Sequence, residues 1–121
     1  MKEYPVIIDN RNFIIRVGQN AKENWNLIDC ADDFDLWFHL DDYPSGHVII
    51  KEILNKKVVS TLKDDFFGYP RELIHIGSQY CKTQSKFSNS KVTVVYTTIN
   101  NVKKGKDIGS VFIKKSKYII L

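Results

Sequence analysis

The chain has 121 residues, 43% hydrophobic and 12% aromatic, with a formal net charge of +4. Such a length is read as a single domain over residues 1–121, able to bury about two-thirds of its unfolded surface, and the apolar content excludes a disordered chain. No run approaches the ~20 apolar residues of a membrane span, and the apolar run in Met1–Asp9 is too short for a signal peptide, so a soluble, cytoplasmic protein without a membrane partner is expected.

In chain order, Val6–Ile8 and Asn12–Val17 read as short strands around an Asp9-Asn10-Arg11-Asn12 turn. Gly18 ends the second strand, and Gln19 or Asn20 opens a short helix to about Cys30 with Leu27, Ile28 and Ala31 on its apolar side. Ala31-Asp32-Asp33 is a loop. Asp35–Val48 then reads as a hairpin. Alternation sets Leu36, Phe38 and Leu40 on one face and Trp37 and His39 on the other. Tyr43-Pro44-Ser45-Gly46 is turn chemistry, after which His47 comes back across from His39.

Residues 51–68 carry no clear period, and Lys63-Asp64-Asp65 with Phe66-Phe67-Gly68 reads as an exposed loop. Pro70 suits a first helical turn and Glu72 its dipole. Leu73, Ile76, Gly77, Tyr80, Cys81 and Gln84 predict the buried stripe of a helix to about Ser85, with Gly77 allowing close approach to a sheet. Val92–Thr97 is the clearest strand, and Val111–Lys115 and Lys117–Leu121 read as a terminal pair. The fold class is α+β: a mixed, mainly antiparallel sheet with one long and one short helix packed on it.

Charge is unevenly distributed. Residues 1–60 hold seven basic and ten acidic side chains, and residues 61–121 eleven and four. From Lys82 onward there are nine lysines and one acid, Asp107. Tyr80, Lys82, Lys86, Lys91, Tyr96, Lys103 and Lys104 interleave rings and cations, a pattern suited to phosphates and stacked bases. A plain solvated lysine surface has the same composition, and Tyr80 and Tyr96 also suit a core.

The hairpin holds the parts of other chemistries. His39, Asp41, Asp42, Ser45 and His47 include those of a Ser/His/Asp hydrolase and of a His/carboxylate metal site. Ser45 lacks a G-x-S-x-G elbow, and adjacent acids on a strand alternate between faces. A packed histidine pair and a ligand-facing role for His39 or His47 both stay open. Gly18-Gln19-Asn20-Ala21-Lys22 is no phosphate loop, yet its strand-to-helix turn can receive an anion beside Lys22. Cys30 and Cys81 show no metal spacing and read as buried or half-buried free thiols of a reducing compartment. No metal and no other cofactor is expected.

Gly18-Gln19-Asn20 with Leu27, Asp35-Leu36-Trp37-Phe38-His39, Pro44-Ser45-Gly46-His47-Val48, Tyr80-Cys81-Lys82, Ser90–Thr97, Val102-Lys103-Lys104 and Gly109-Ser110-Val111 together resemble the NFACT-R domain. That module is shared by ribosome quality-control NFACT proteins and by small stand-alone relatives that carry a coiled coil. The resemblance covers about residues 12–121, with Gln19 in place of a basic residue and Trp25 in place of an acid. It implies a stand-alone, non-catalytic RNA-binding module working in a tRNA or ribosomal context. Lys22, Lys82, Lys86, Lys91, Lys103 and Lys104 would contact phosphate. Gly18, Asn20, Asp35, Trp37, His39, Ser45 and His47 are the family signature and possible ligand contacts. A DNA-binding module and an adapter docking on a ribosomal or repair complex are the alternatives.

Overall fold

The computed structural model describes residues 1–41, 43–53 and 66–121. Its elements are β1 (Lys2–Ile8), β2 (Arg11–Val17), α1 (Ala21–Cys30), β3 (Leu36–Leu40), β4 (Val48–Glu52), α2 (Arg71–Thr83), β5 (Thr93–Thr98), a 3₁₀ turn at Ile99–Asn101, β6 (Val102–Lys104), β7 (Val111–Ile113) and β8 (Lys117–Ile120). Six strands form one sheet in the order β1-β2-β4-β3-β5-β8, and β6 and β7 form a separate ribbon. Every pairing is antiparallel. The α+β class therefore holds.

The first hairpin is longer than its apolar residues suggest. β1 begins at Lys2, and Asp9-Asn10 alone form the turn, at φ 51° and 63°. Those left-handed values are what a two-residue hairpin turn demands and what Asp and Asn tolerate. Pro5 can sit in β1 because β1 is an edge strand.

Strand alternation makes two cores, one on each face of the sheet. Phe13, Ile15, Leu36, Phe38, Leu40, Val48, Ile50, Val94 and Tyr96 meet Leu73, Ile74 and Cys81 of α2 on one side. Trp37, Ile49 and Val95 meet Leu27 and Ile28 of α1 on the other, where Val102 of β6 joins them. Each large apolar side chain buried here contributes about 1.5–3 kcal/mol. α2 comes close enough that a Cβ on Gly77 would lie 2.5 Å from the Phe38 ring and 2.9 Å from Ile50 Cδ1. The predicted stripe of α2 is rotated: Ile74 and the small Ser78 are buried, while Gln84 is the exposed cap residue.

Three further expectations are corrected. Val111–Lys115 and Lys117–Leu121 do not pair with each other; β7 pairs with β6 and β8 with β5. Phe66 and Phe67 are half-buried against the core, the Phe67 ring standing edge-on to Tyr96, so they are not an exposed loop. Cys81 is buried as expected, and burial pushes its thiol up to about 12, but Cys30 is exposed. Residues 54–65 and Asp42, and with them the reading of Lys63-Asp64-Asp65, lie outside the described residues.

α1 is fastened to the sheet through His47, which is 1% exposed. The buried Asn24 Oδ1 accepts the His47 amide N–H (3.0 Å), and Trp37 Nε1–H donates to His47 Nδ1 (3.2 Å). An accepting Nδ1 leaves the ring proton on Nε2, facing the Gly109 backbone. Burial, and then the neighbouring His39, pull His47 down to about 3, so the ring stays neutral near pH 7.

Gly77→Val is expected to lose about 1–3 kcal/mol of stability by overpacking against Phe38 and Ile50; a urea melt matching wild type would contradict the close approach. His47 makes a second expectation. Its folded value near 3 lies below the unfolded value of about 6.5, so the unfolded chain takes up the extra proton between the two. Its contribution is whole above about pH 6.5 and is lost as pH falls toward 3, at about 1.4 kcal/mol per pH unit. In urea melts of wild type and His47→Asn, the stability difference should shrink as pH is lowered through this window. A constant difference would show that His47 is not held neutral.

Candidate functional site

The strand registers place Lys2, Val17, Leu40, Val48, Thr93 and Ile120 at one end of the sheet and Ile8, Arg11, Glu52, Leu36 and Thr98 at the other. α1 follows directly from β2 and so starts at the first end. α2 finishes there, Cys81 Sγ lying 3.7 Å from Ser45 Oγ and Phe87 stacking on Tyr43 at 4.3 Å.

A cleft of about 340 Å³ opens at this end. The start of α1 (Gln19, Asn20, Ala21 and Asn24), the Pro44–His47 loop, His39, and Ile108-Gly109 from the β6–β7 connection line it. Asn20 caps α1 by accepting the Glu23 amide N–H at 2.9 Å, while Glu23 accepts from the Gln19 N–H at 3.0 Å, a variant of the capping box. The loops meet backbone to backbone: Gly18 N–H donates to the His47 carbonyl at 2.9 Å. A Cβ on Gly46 would lie 2.0 Å from the Gly18 carbonyl oxygen, and one on Gly18 2.1 Å from Asn24 Oδ1, so both positions need glycine.

His39 is half-buried, stacked on Trp37 (5.9 Å, 3°) and edge-on to His47 (5.2 Å, 87°). Its Nδ1 contacts the Leu40 carbonyl. Burial holds it below its ordinary value, against the Leu40 and Ser45 backbones and Asp41, which favour the charged form. Ser45 Oγ accepts from Leu40 N–H (3.1 Å) and donates to the Gly46 carbonyl (3.2 Å), and thus ties the loop to β3. Among the described residues no group of three or more His, Cys, Asp or Glu side chains is arranged to hold a metal ion.

Of the signature residues, Asn20, His39, Ser45 and His47 meet at the cleft, with Gly18 and Trp37 directly behind it. Asp35 does not join them. It lies at the far end, where Asp32 N–H donates to its carboxylate (2.9 Å) and Lys51 pairs with it (3.0 Å). Burial raises its pKa despite those two partners.

The lysines divide by position. Lys22 stands at the start of α1, Lys82 and Lys86 at and beyond the end of α2, and Lys91 just before β5, all at the cleft end. None forms an ion pair with a described residue. Lys2 at the start of β1 and Lys106 in the connection that carries Ile108 and Gly109 belong to the same end. Sequence reasoning missed both: Lys2 lies in the acidic half of the chain, and only strand register brings it here. Lys103 and Lys104 lie along α1 on β6, Lys104 paired with Asp29 (2.6 Å) and 5.2 Å above the Trp25 ring. The far end collects Asp9, Asp32, Asp33, Asp35, Glu52 and Glu72. The cleft end also carries Glu3, Glu23, Asp41 and Asp107, and the far end Arg11, Lys51 and Arg71, so the two ends differ in balance: lysines predominate at the cleft end, beside the positive end of the α1 dipole, and carboxylates at the other.

The chain is 28% identical over 101 residues to coiled-coil domain-containing protein 25 of Mus musculus, an alignment spanning 84% of the chain and 46% of that protein. It is 36% identical over 73 residues to Protein JLP2 of Saccharomyces cerevisiae, spanning 59% of the chain and 32% of the relative. The solved C-terminal part of the fibronectin/fibrinogen-binding protein from Streptococcus suis shares the fold across 100% of the chain and 45% of its own length, with a TM-score of 0.75 at 24% identity. The chain spans less than half the length of each of these relatives. The family described as the NFACT protein RNA binding domain matches residues 4–116, more than nine-tenths of the sequence, and the chain belongs to that family.

Proposed function

We propose that this chain is a non-catalytic RNA-binding module, acting on tRNA or ribosome-associated RNA in the cytoplasm, that grips phosphates across the basic end of its sheet. The observation that carries the reading is the placing of cations: Lys22, Lys82, Lys86 and Lys91, none paired with a described residue, stand beside the cleft built from the family signature, whereas carboxylates outnumber cations at the opposite end. Lysines tethered by short loops to a rigid sheet can neutralise several phosphates at once, and each neutralised phosphate releases condensed counterions. Lys103 extends this surface along β6, and Lys104 can join it by leaving Asp29, an exposed pair worth little in water.

Within the cleft, His39 and the exposed Gln19 and Asn20 are in reach of a nucleotide, while Ser45 and His47 act by holding the loop in place. A neutral imidazole over Trp37 offers a flat face and a hydrogen bond rather than a charge. RNA is favoured over DNA on the strength of the family, because lysine–phosphate contacts do not distinguish the two.

Binding of a tRNA, measured by fluorescence anisotropy across a salt series, tests the reading. The logarithm of the affinity should fall linearly with the logarithm of salt, and Lys82→Glu/Lys86→Glu should weaken binding and flatten the slope by about 0.7–0.9 per lost contact. A salt-independent affinity, or a double variant matching wild type, contradicts the phosphate grip. A duplex DNA that competes as well as the tRNA would contradict the preference for RNA.

A further inference from the structure

The β6–β7 ribbon lies outside the main sheet, and a two-stranded ribbon is marginal in water unless something holds it. Here the holding contacts are specific. Trp25 Nε1–H of α1 donates to the Ser110 carbonyl (3.0 Å) and Lys104 pairs with Asp29 of α1, while Gly105 N–H to the Ser110 carbonyl (2.7 Å) and Lys114 N–H to the Asn101 carbonyl (2.8 Å) extend the ribbon's own ladder. Val102 and Val111 point into the α1-side core. Directly opposed residues in an antiparallel pair share a face. The register Lys103↔Phe112 therefore sends those two side chains outward together.

Phe112 is 67% exposed and makes no ring contact with a described residue, and Lys103 is exposed without an ion pair among the described residues. A single exposed phenyl ring is ordinary. This one is paired on a braced ribbon with an unengaged cation, in a segment, residues 102–121, that holds six lysines and one acid. The ribbon's connection also forms one wall of the cleft through Ile108 and Gly109. Charge of that sign excludes a basic partner and fits a polyanion, and a flat ring beside a cation fits an unpaired nucleotide.

We infer that the outward face of the ribbon is a stacking site for an unpaired base of RNA, with Phe112 supplying the ring and Lys103 the adjacent phosphate contact. The inference rests on the RNA-binding reading and adds the class of RNA: single-stranded, leaving the cleft past Lys106 and crossing the ribbon. A blunt duplex, its bases stacked inside, cannot use the ring.

Affinities of wild type, Phe112→Ala, Phe112→Leu and Phe112→Trp for an oligouridylate and for a blunt RNA duplex test it. Phe112→Ala and Phe112→Leu should each weaken oligouridylate binding about 5- to 150-fold, Phe112→Trp should retain it, and duplex binding should not change. Oligouridylate binding unchanged in Phe112→Ala, or fully kept by Phe112→Leu, overturns the stacking site. If the Lys82→Glu/Lys86→Glu variant is still weakened in that case, the phosphate grip survives and only the stacking falls. If wild type binds the tRNA but not the oligouridylate, the stacking site falls and the RNA-binding reading stands; if it binds neither, both fail.

Discussion

The hydrogen bond from the His47 amide to Asn24 Oδ1 is the joint on which the functional end of this molecule depends. It ties the first turns of α1 to the start of β4, and the Gly18–His47 backbone bond and the Trp37–His47 ring bond complete the node. An amide buried there without an acceptor costs about 1–3 kcal/mol, so α1, β3 and β4 are held in one relative position. Neither Gly18 nor Gly46 has room for a side chain: Gly46 lies against the Gly18 backbone, and Gly18 against the buried Asn24 side chain. What remains open between them is the cleft, with His39 on its floor.

The node also explains why a hairpin rich in catalytic residue types works as architecture. His47 is neutral and enclosed, Ser45 is committed to Leu40 and Gly46, and Asp35 braces the opposite end against Lys51. Beside the exposed Asp41, the cleft end offers the start of α1 with Gln19 and Asn20, one half-buried imidazole, and lysines. Those are parts for holding an anion beside a planar group.

The sequence made some of this legible and hid the rest for physical reasons. Alternation in Leu36–Leu40 gave both faces of β3, and the spacing around Gly77 gave the close helix. The stripe of α2 was off by one position at Ile74 and Ser78, because a period of 3.6 leaves a rotation that only packing settles. The first half of β1 is hidden in the sequence because Lys2, Glu3 and Pro5 are exposed on an edge strand and leave no apolar period. Short segments carry no partner information, so the sequence does not show that β7 and β8 part company; Val111 finds Lys104 across a loop and Lys117 finds Tyr96 on the neighbouring strand. The charge pattern along the chain, acidic then basic, was not the pattern in space. Lys2 and Lys22 come from the acidic half yet stand at the basic end, and Asp35, adjacent in sequence to the other signature residues, lies a strand's length from the cleft. The motifs identified the family without showing which of their residues converge.

Amide chemical-shift mapping of the isotope-labelled chain titrated with an unstructured oligoribonucleotide tests the central claim most directly. The account predicts that the shifted resonances gather at residues 18–24, 39 and 45–47, at Lys82, Lys86 and Lys91, and along residues 103–112. The acidic end, at Asp9-Asn10, Asp32–Asp35 and Glu72, should stay silent. Shifts centred on that acidic end, or spread without regard to the difference in charge balance, would contradict it.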